Sequence, residues 1–96
     1  MSKFQTEVIK HFKKKGYIVW NVIKLSDSGF PDLSIFKDGK VIFIEVKEGN
    51  DTLKKLQKYR IDQLINEGFE ACCLHNKKGI VYGSQILELQ NKLKEK

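Results

Sequence analysis

The chain has 96 residues, with 18 Lys and Arg against 12 Asp and Glu and a net charge of +6. A hydrophobic share of 41% beside 31% charged residues excludes disorder, and no apolar run approaches the ~20 residues of a membrane helix. The polar N-terminus carries no signal-peptide core, so residues 1–96 read as one cytoplasmic domain whose excess charge admits an acidic partner.

Residues 2–15 predict an amphipathic helix: Phe4, Val8, Ile9 and Phe12 share one stripe, and Lys3, Lys10, Lys13 and Lys14 lie opposite. Gly16 ends it, with the late lysines where the helix dipole favours cations. Residues 17–24, β-branched and aromatic, predict a strand, and the Ser, Asp, Gly and Pro of 25–31 a loop. Asp32–Phe36 and Val41–Lys47 are two further strands, joined by Lys37-Asp38-Gly39-Lys40, whose Asp-Gly pair signals a tight hairpin. Asp51 or Thr52 can cap a helix that runs to about Glu67 and stops at Gly68. Glu70–His75 is a strand, Asn76–Gly79 a turn and Ile80–Gly83 a short strand. Ser84 can cap a last helix with Ile86, Leu89 and Leu93 on its apolar stripe. The order α-β-β-β-α-β-β-α predicts an α/β fold with a mixed central sheet flanked by helices. A chain this short buries roughly two-thirds of its unfolded surface, so a homodimer would add to a thin core.

Cys72 and Cys73 are adjacent in an apolar run, and with His75 they lack a fourth ligand at zinc-site spacing. They read as reduced core thiols.

The informative polar residues lie on the third strand. Val41–Lys47 is apolar on both faces except for Glu45 and Lys47, which alternate onto the face of Val41 and Phe43. Either they are a salt-bridged pair at a fraying strand end, or they have a chemical task. The preceding hairpin bears on the choice, because a turn centred at Asp38-Gly39 brings Asp32 beside Glu45. Two adjacent carboxylates repel unless one is protonated or a cation lies between them. All-oxygen donors favour magnesium or manganese over zinc.

On the second helix Leu53, Leu56, Ile61, Leu64 and Ile65 define an apolar face, and Gln57 falls near its middle. Gln57 is either a core glutamine satisfied by backbone carbonyls or a side chain reaching the carboxylate cluster. Arg60 flanks the stripe, to contact a phosphate or to snorkel. Glu7, at the edge of the first helix's stripe, pairs with a nearby lysine or adds a carboxylate to the site. Asn21 and Trp20 are most economically structural. Lys10, Lys13, Lys14 and Lys15 cluster at one helix end, Lys54, Lys55 and Lys58 on another helix, and Lys77 and Lys78 in a turn. Such groups are solvated faces or contacts to a nucleic-acid backbone, and contacts of that kind do not read sequence.

Pro31-Asp32 followed by Glu45-Val46-Lys47, with thirteen residues from Asp32 to Glu45, resembles the P-D…E-x-K pattern of the PD-(D/E)xK nuclease superfamily. The element order is similar to that superfamily's restriction-endonuclease-like core. The Gly29-Phe30-Pro31-Asp32 loop, Gln57 with Tyr59-Arg60, and the helical Glu7 together resemble the VRR-NUC family in its stand-alone form from phages and bacteria. That family in turn looks like the archaeal Holliday junction resolvases. The resemblance runs from Glu7 to about Gly83 and implies that Asp32, Glu45 and the backbone carbonyl of Val46 hold magnesium, or manganese in its place. It implies that Lys47 orients or deprotonates the attacking water, that Gln57 holds that water or a phosphate oxygen, and that Glu7 is an outer or second-metal ligand. The expected activity is a metal-dependent DNA endonuclease, structure-specific on branched DNA such as four-way junctions and acting as a homodimer. Lys10, Lys13, Lys14, Lys54, Lys58 and Arg60 would contact the DNA. The alternatives are a nuclease for flaps, simple duplex or RNA, and a non-cutting nucleic-acid-binding module that partners replication or repair proteins.

Overall fold

The computed structural model describes residues 2–21 and 28–94, without the side chains of 91–94. The end of the first predicted strand (22–24), the predicted loop residues 25–27 and the Leu93 side chain lie outside the described residues. The elements are α1 (Lys3–Lys14), β1 (Ile18–Asn21), β2 (Leu33–Lys37), β3 (Lys40–Lys47), α2 (Lys55–Asn66), β4 (Glu70–His75), β5 (Gly79–Gly83) and α3 (Leu87–Lys94). This is the predicted order. The five strands form one sheet in the order β1-β2-β3-β4-β5. Only β3 and β4 run parallel, because α2 carries the chain back between them; the other neighbours are antiparallel.

The hairpin between β2 and β3 fixes the register of the sheet's centre. Asp38 and Gly39 both have positive φ, 53° and 78°, the type I′ geometry that matches the twist of paired strands. Leu33 therefore faces Ile44 across the pair, and Ile35 faces Ile42.

One sheet face is thickly covered. Phe4, Val8 and Phe12 of α1 pack on Leu33, Ile35, Ile42, Ile44, Val46, Cys72 and Leu74, with Ile86 and Leu89 closing the cluster. Ser2 Oγ caps α1 by accepting the Gln5 N–H at 3.0 Å, which meets one of the helix's orphan donors. On the opposite face, Ile61 and Leu64, with Leu53 just before α2, pack on Phe43, Ala71, Cys73 and Tyr82. The two cysteines are free and buried, as expected, and burial pushes both thiols well above their ordinary range, which keeps them unreactive.

Three local expectations need correction. The helix α2 begins at Lys55, so neither Asp51 nor Thr52 caps it; Gln57 Oε1 accepts the Lys54 N–H at 2.9 Å instead. Its buried face is narrower than the spacing implied, because Leu56 and Ile65 are exposed. Ser84 does not cap α3. Its hydroxyl accepts the Ala71 N–H and its own N–H donates to the Ala71 carbonyl, so it extends the β4–β5 pairing.

Candidate active site

The site is built where β2 begins and β3 ends. Continuing the β2–β3 register by one step pairs Asp32 with Glu45, as the hairpin predicts. Strand alternation then turns Glu45 and Lys47 to the face covered by α2, beside Cys73 and His75 of β4. Both are almost fully buried, Glu45 at 4% and Lys47 at 6% exposure, so neither charge is solvated and each needs a partner.

The partners are specific. Asp32 Oδ2 accepts the Val46 N–H at 3.0 Å, which holds the carboxylate against the end of β3. Because N–H and C=O of one strand residue point to the same side, the Val46 carbonyl is also directed toward the Asp32 side. Lys47 Nζ lies 3.5 Å from Glu45 Oε2 and 3.4 Å from Asp51 Oδ2. Gln57 Nε2 donates to Glu45 Oε2 at 3.1 Å while its Oε1 holds the start of α2. The glutamine thus ties the helix to the buried carboxylate, and it reaches the cluster as one of its two sequence readings held.

These surroundings shift one ionisation. Burial first, and then the neighbouring negative charge of Asp32, push the Glu45 carboxyl up from 4.5 to about 7, against the opposing pull of Lys47. A proton shared between the two acids acts in the same direction. A site that holds a proton between two carboxylates is one where a cation can replace that proton. The oxygen-only donor set suits a hard divalent ion, which is the fit expected for magnesium or manganese.

The loop before β2 is pinned from several directions. A Cβ on Gly29 (φ 82°) would sit 2.8 Å from Leu56 Cγ and 3.1 Å from the Leu56 carbonyl oxygen, so only glycine allows the loop so close to α2. Phe30 packs edge-on to Phe43 at 5.7 Å, and Pro31 is buried. Arg60 Nε donates to the Ser28 carbonyl at 3.0 Å and Nη1 to Gln63 Oε1 at 3.1 Å. One Arg60 hydrogen bond thus holds the loop that carries Asp32, and the other stays within α2.

Three contributors were missed or misread in the sequence. Asp51, read as a helix cap, is the second counter-ion of Lys47; its spacing of four from Lys47 is the only sequence clue. His75 is buried opposite Lys47, with Nε2 2.8 Å from the Gly49 carbonyl and Nδ1 accepting the N–H groups of Lys77 and Lys78. That arrangement assigns the neutral Nε2–H tautomer and fixes the turn after β3. Glu48 Oε2 accepts the Phe4 N–H at 3.3 Å, tying the N-terminus of α1 to the same strand end.

The remaining candidates are spread out. Glu7 is half-buried on α1, and among the described residues no three His, Cys, Asp or Glu side chains are gathered to hold a metal ion. The donors brought together are thus the Asp32–Glu45 pair. Lys10, Lys13 and Lys14 are exposed on α1. Lys54 is exposed and 3.8 Å from Asp51, and Lys58 lies over the Tyr82 ring at 5.7 Å.

Comparison with known proteins gives a consistent picture. The model of the VRR-NUC domain family matches residues 2–78. A solved VRR-NUC domain superposes with a TM-score of 0.67 at 18% identity, covering 94% of this chain and 89% of that one. Hjc, a Holliday junction resolvase from the archaeal hyperthermophile Archaeoglobus fulgidus, superposes with a TM-score of 0.54 at 22% identity, over 76% of this chain and 65% of the resolvase. No curated protein sequence matches.

Proposed function

The chain belongs to the VRR-NUC family, a family of nuclease domains, and from that premise we propose that it is a metal-dependent endonuclease that cuts branched DNA. The observation that carries the reading is the buried cluster of Asp32, Glu45, Lys47 and Gln57 at the ends of β2 and β3. The choice of branched DNA rests on the fold shared with the archaeal resolvase.

Asp32, Glu45 and the Val46 carbonyl are the groups that would hold magnesium or manganese. Such an ion, when bound, supplies Lewis acidity toward water and the phosphate oxygens. Hydrolysis adds water across one P–O ester bond and leaves a phosphate monoester and a hydroxyl. In this reading Lys47 orients the incoming water and offsets the charge that grows on the phosphoryl oxygens. Asp51 and Glu45 hold its ammonium group at that point. Gln57 keeps Glu45 in place, a positioning role, and Glu7 serves as an outer carboxylate. Lys10, Lys13, Lys14, Lys54, Lys58 and Arg60 would line the path of the DNA backbone and set affinity more than sequence. The reading takes residues 1–96 as one nuclease domain that works as a homodimer in the cytoplasm of a bacterial cell or phage-infected host. The exposed apolar residues Ile18 and Trp20 on the edge strand β1 support the dimer. Among the described residues no helix is long and apolar enough to cross a membrane.

The test is cleavage of labelled four-way junction, flap and linear duplex in magnesium and in manganese. The junction is expected to be cut best, and Asp32→Asn and Lys47→Ala each to lower the rate at least about a hundredfold while DNA is still bound. No cutting of any substrate in either metal overturns the enzyme, and preference for the flap or linear duplex overturns the four-way junction as the substrate.

A further inference from the structure

The strand β5 is one residue out of step with its neighbour. Cys73 pairs with Tyr82, but Leu74 pairs with Ile80, so Val81 is an extra residue opposite a single step of β4. Bulges of this kind re-aim side chains and occur often beside functional sites. Here the bulge has a definite consequence. Ile80 packs into the core on the α1 side and Tyr82 packs on the α2 side, so the irregular step lets Val81 and Tyr82 line the same cavity. Regular alternation would have separated them.

That cavity has a volume of about 270 Å³ and adjoins the cluster already described, since Lys47 forms one wall. Val81, Tyr82 and Leu53 make its apolar surface, and Lys58 and Lys78 stand on its rim. Val81 is 45% exposed, an aliphatic side chain held open to solvent by a backbone irregularity. Tyr82 is fixed from both ends: its hydroxyl donates to Asp62 Oδ1 at 2.7 Å, and the Lys58 ammonium lies over its ring. With Lys47 already paired to Glu45 and Asp51, the two other lysines, Lys58 and Lys78, beside a small apolar surface match a group that is flat and apolar on one side and anionic on the other.

We infer that the cavity between β5 and the start of α2 receives one unpaired nucleotide of the DNA strand next to the phosphate being cut. The base lies against Val81, Tyr82 and Leu53, and its own phosphate meets Lys58 and Lys78. Bases stack on aromatic and apolar side chains with little regard to identity, so such a pocket selects for an unpaired position and not for a sequence. This rests on the nuclease reading above, and it supplies that reading with a reason to prefer branched DNA, where the continuous base stack is broken at the branch point. A base at the branch point opens and enters at a lower unstacking cost than one inside a continuous duplex.

The test uses the full chain and a four-way junction in which each nucleotide flanking the cut is replaced in turn by an abasic residue. At one flanking position the abasic substrate should be cut about tenfold less efficiently (kcat/KM), the size of a lost base-stacking contact. Val81→Ser and Tyr82→Ala should cost about the same on the intact junction and nothing further on the abasic one. Val81→Ser keeps this interpretable should the loss of the Tyr82 hydrogen bond unfold the hairpin. Abasic replacement that matters at no position, or losses that multiply when protein and DNA changes are combined, overturns the pocket while leaving the nuclease intact. No cutting of the unmodified junction overturns the nuclease reading itself.

Discussion

A carboxyl group buried beside a second carboxylate keeps its proton to an unusual pH, and in Glu45 that pH is about 7. The cause is burial first and the Asp32 charge second, with Lys47 opposing both. The folded protein therefore binds this proton more tightly than the unfolded chain, where the group titrates near 4.5. Stability from this group is complete below about 4.5 and declines as pH rises to about 7, by about 3 kcal/mol over the window. Urea unfolding in EDTA at pH 5, 6 and 7 should show that decline in the wild type and not in Glu45→Gln. Parallel profiles for the two proteins would place the titration elsewhere. Magnesium should flatten the wild-type profile, because a cation between the carboxylates displaces the proton whose binding produces the slope.

At the scale of the elements, β5 ends on a glycine where it pairs with Cys72 of β4. Gly83 has φ 91°, and a Cβ there would collide with the Ala71 carbonyl oxygen and lie 2.9 Å from Cys72 Cα and 3.1 Å from Ile61 Cγ2. The first two obstacles are backbone, which cannot step aside as a side chain tip does. Gly83→Ala should cost about 2–4 kcal/mol from the positive φ and the clash together. For a domain of this size that lowers the melting temperature by roughly 10–25 °C. The variant should lose cleavage only in proportion to unfolding, since Gly83 touches none of the cluster; a wild-type melting temperature would refute the packing argument.

The same elements show why the sequence revealed some of the site and not the rest. Asp32 beside Glu45 was legible because one turn with two positive-φ residues fixes the register of both strands. Gln57 was legible because a helix has a period, and a polar residue on its apolar stripe stands out. Asp51 was not, since the segment between β3 and α2 has no period and an acid before a helix reads first as a cap. Leu56 and Ile65 misled for the opposite reason: the stripe was present, but the fold buries Ile61 on it and leaves these two exposed. The bulge at Val81 was invisible because Gly79–Gly83 alternates as any short strand does.

Over the whole molecule, one sheet face is covered by α1 and α3, and on the other α2 packs on β3, β4 and β5. Toward β1, among the described residues, that second face carries Ile18 at 61% and Trp20 at 62% exposure, next to Phe36, whose ring meets that of Trp20 at 4.7 Å. Ile18 faces Phe36 and Phe36 faces Val41 across the strands, so the apolar surface continues along one row of the sheet. It lies at an edge strand, where unpaired backbone groups can also accept a neighbour. A second copy docked there by a two-fold axis would meet the same patch on itself, which is the requirement for an isologous dimer. Each copy needs to bury roughly 600–800 Å² for a stable pair, so the aromatic pair must sit at the centre of the contact and not at its rim. Sedimentation at micromolar concentration should give twice the chain mass. Trp20→Ser should weaken association by about 2 kcal/mol or more, shifting the midpoint at least some thirtyfold in concentration, with the fold unchanged by circular dichroism. A wild-type chain that sediments as a monomer, or a Trp20→Ser protein that dimerises as tightly as wild type, would remove this surface as the proposed dimer contact.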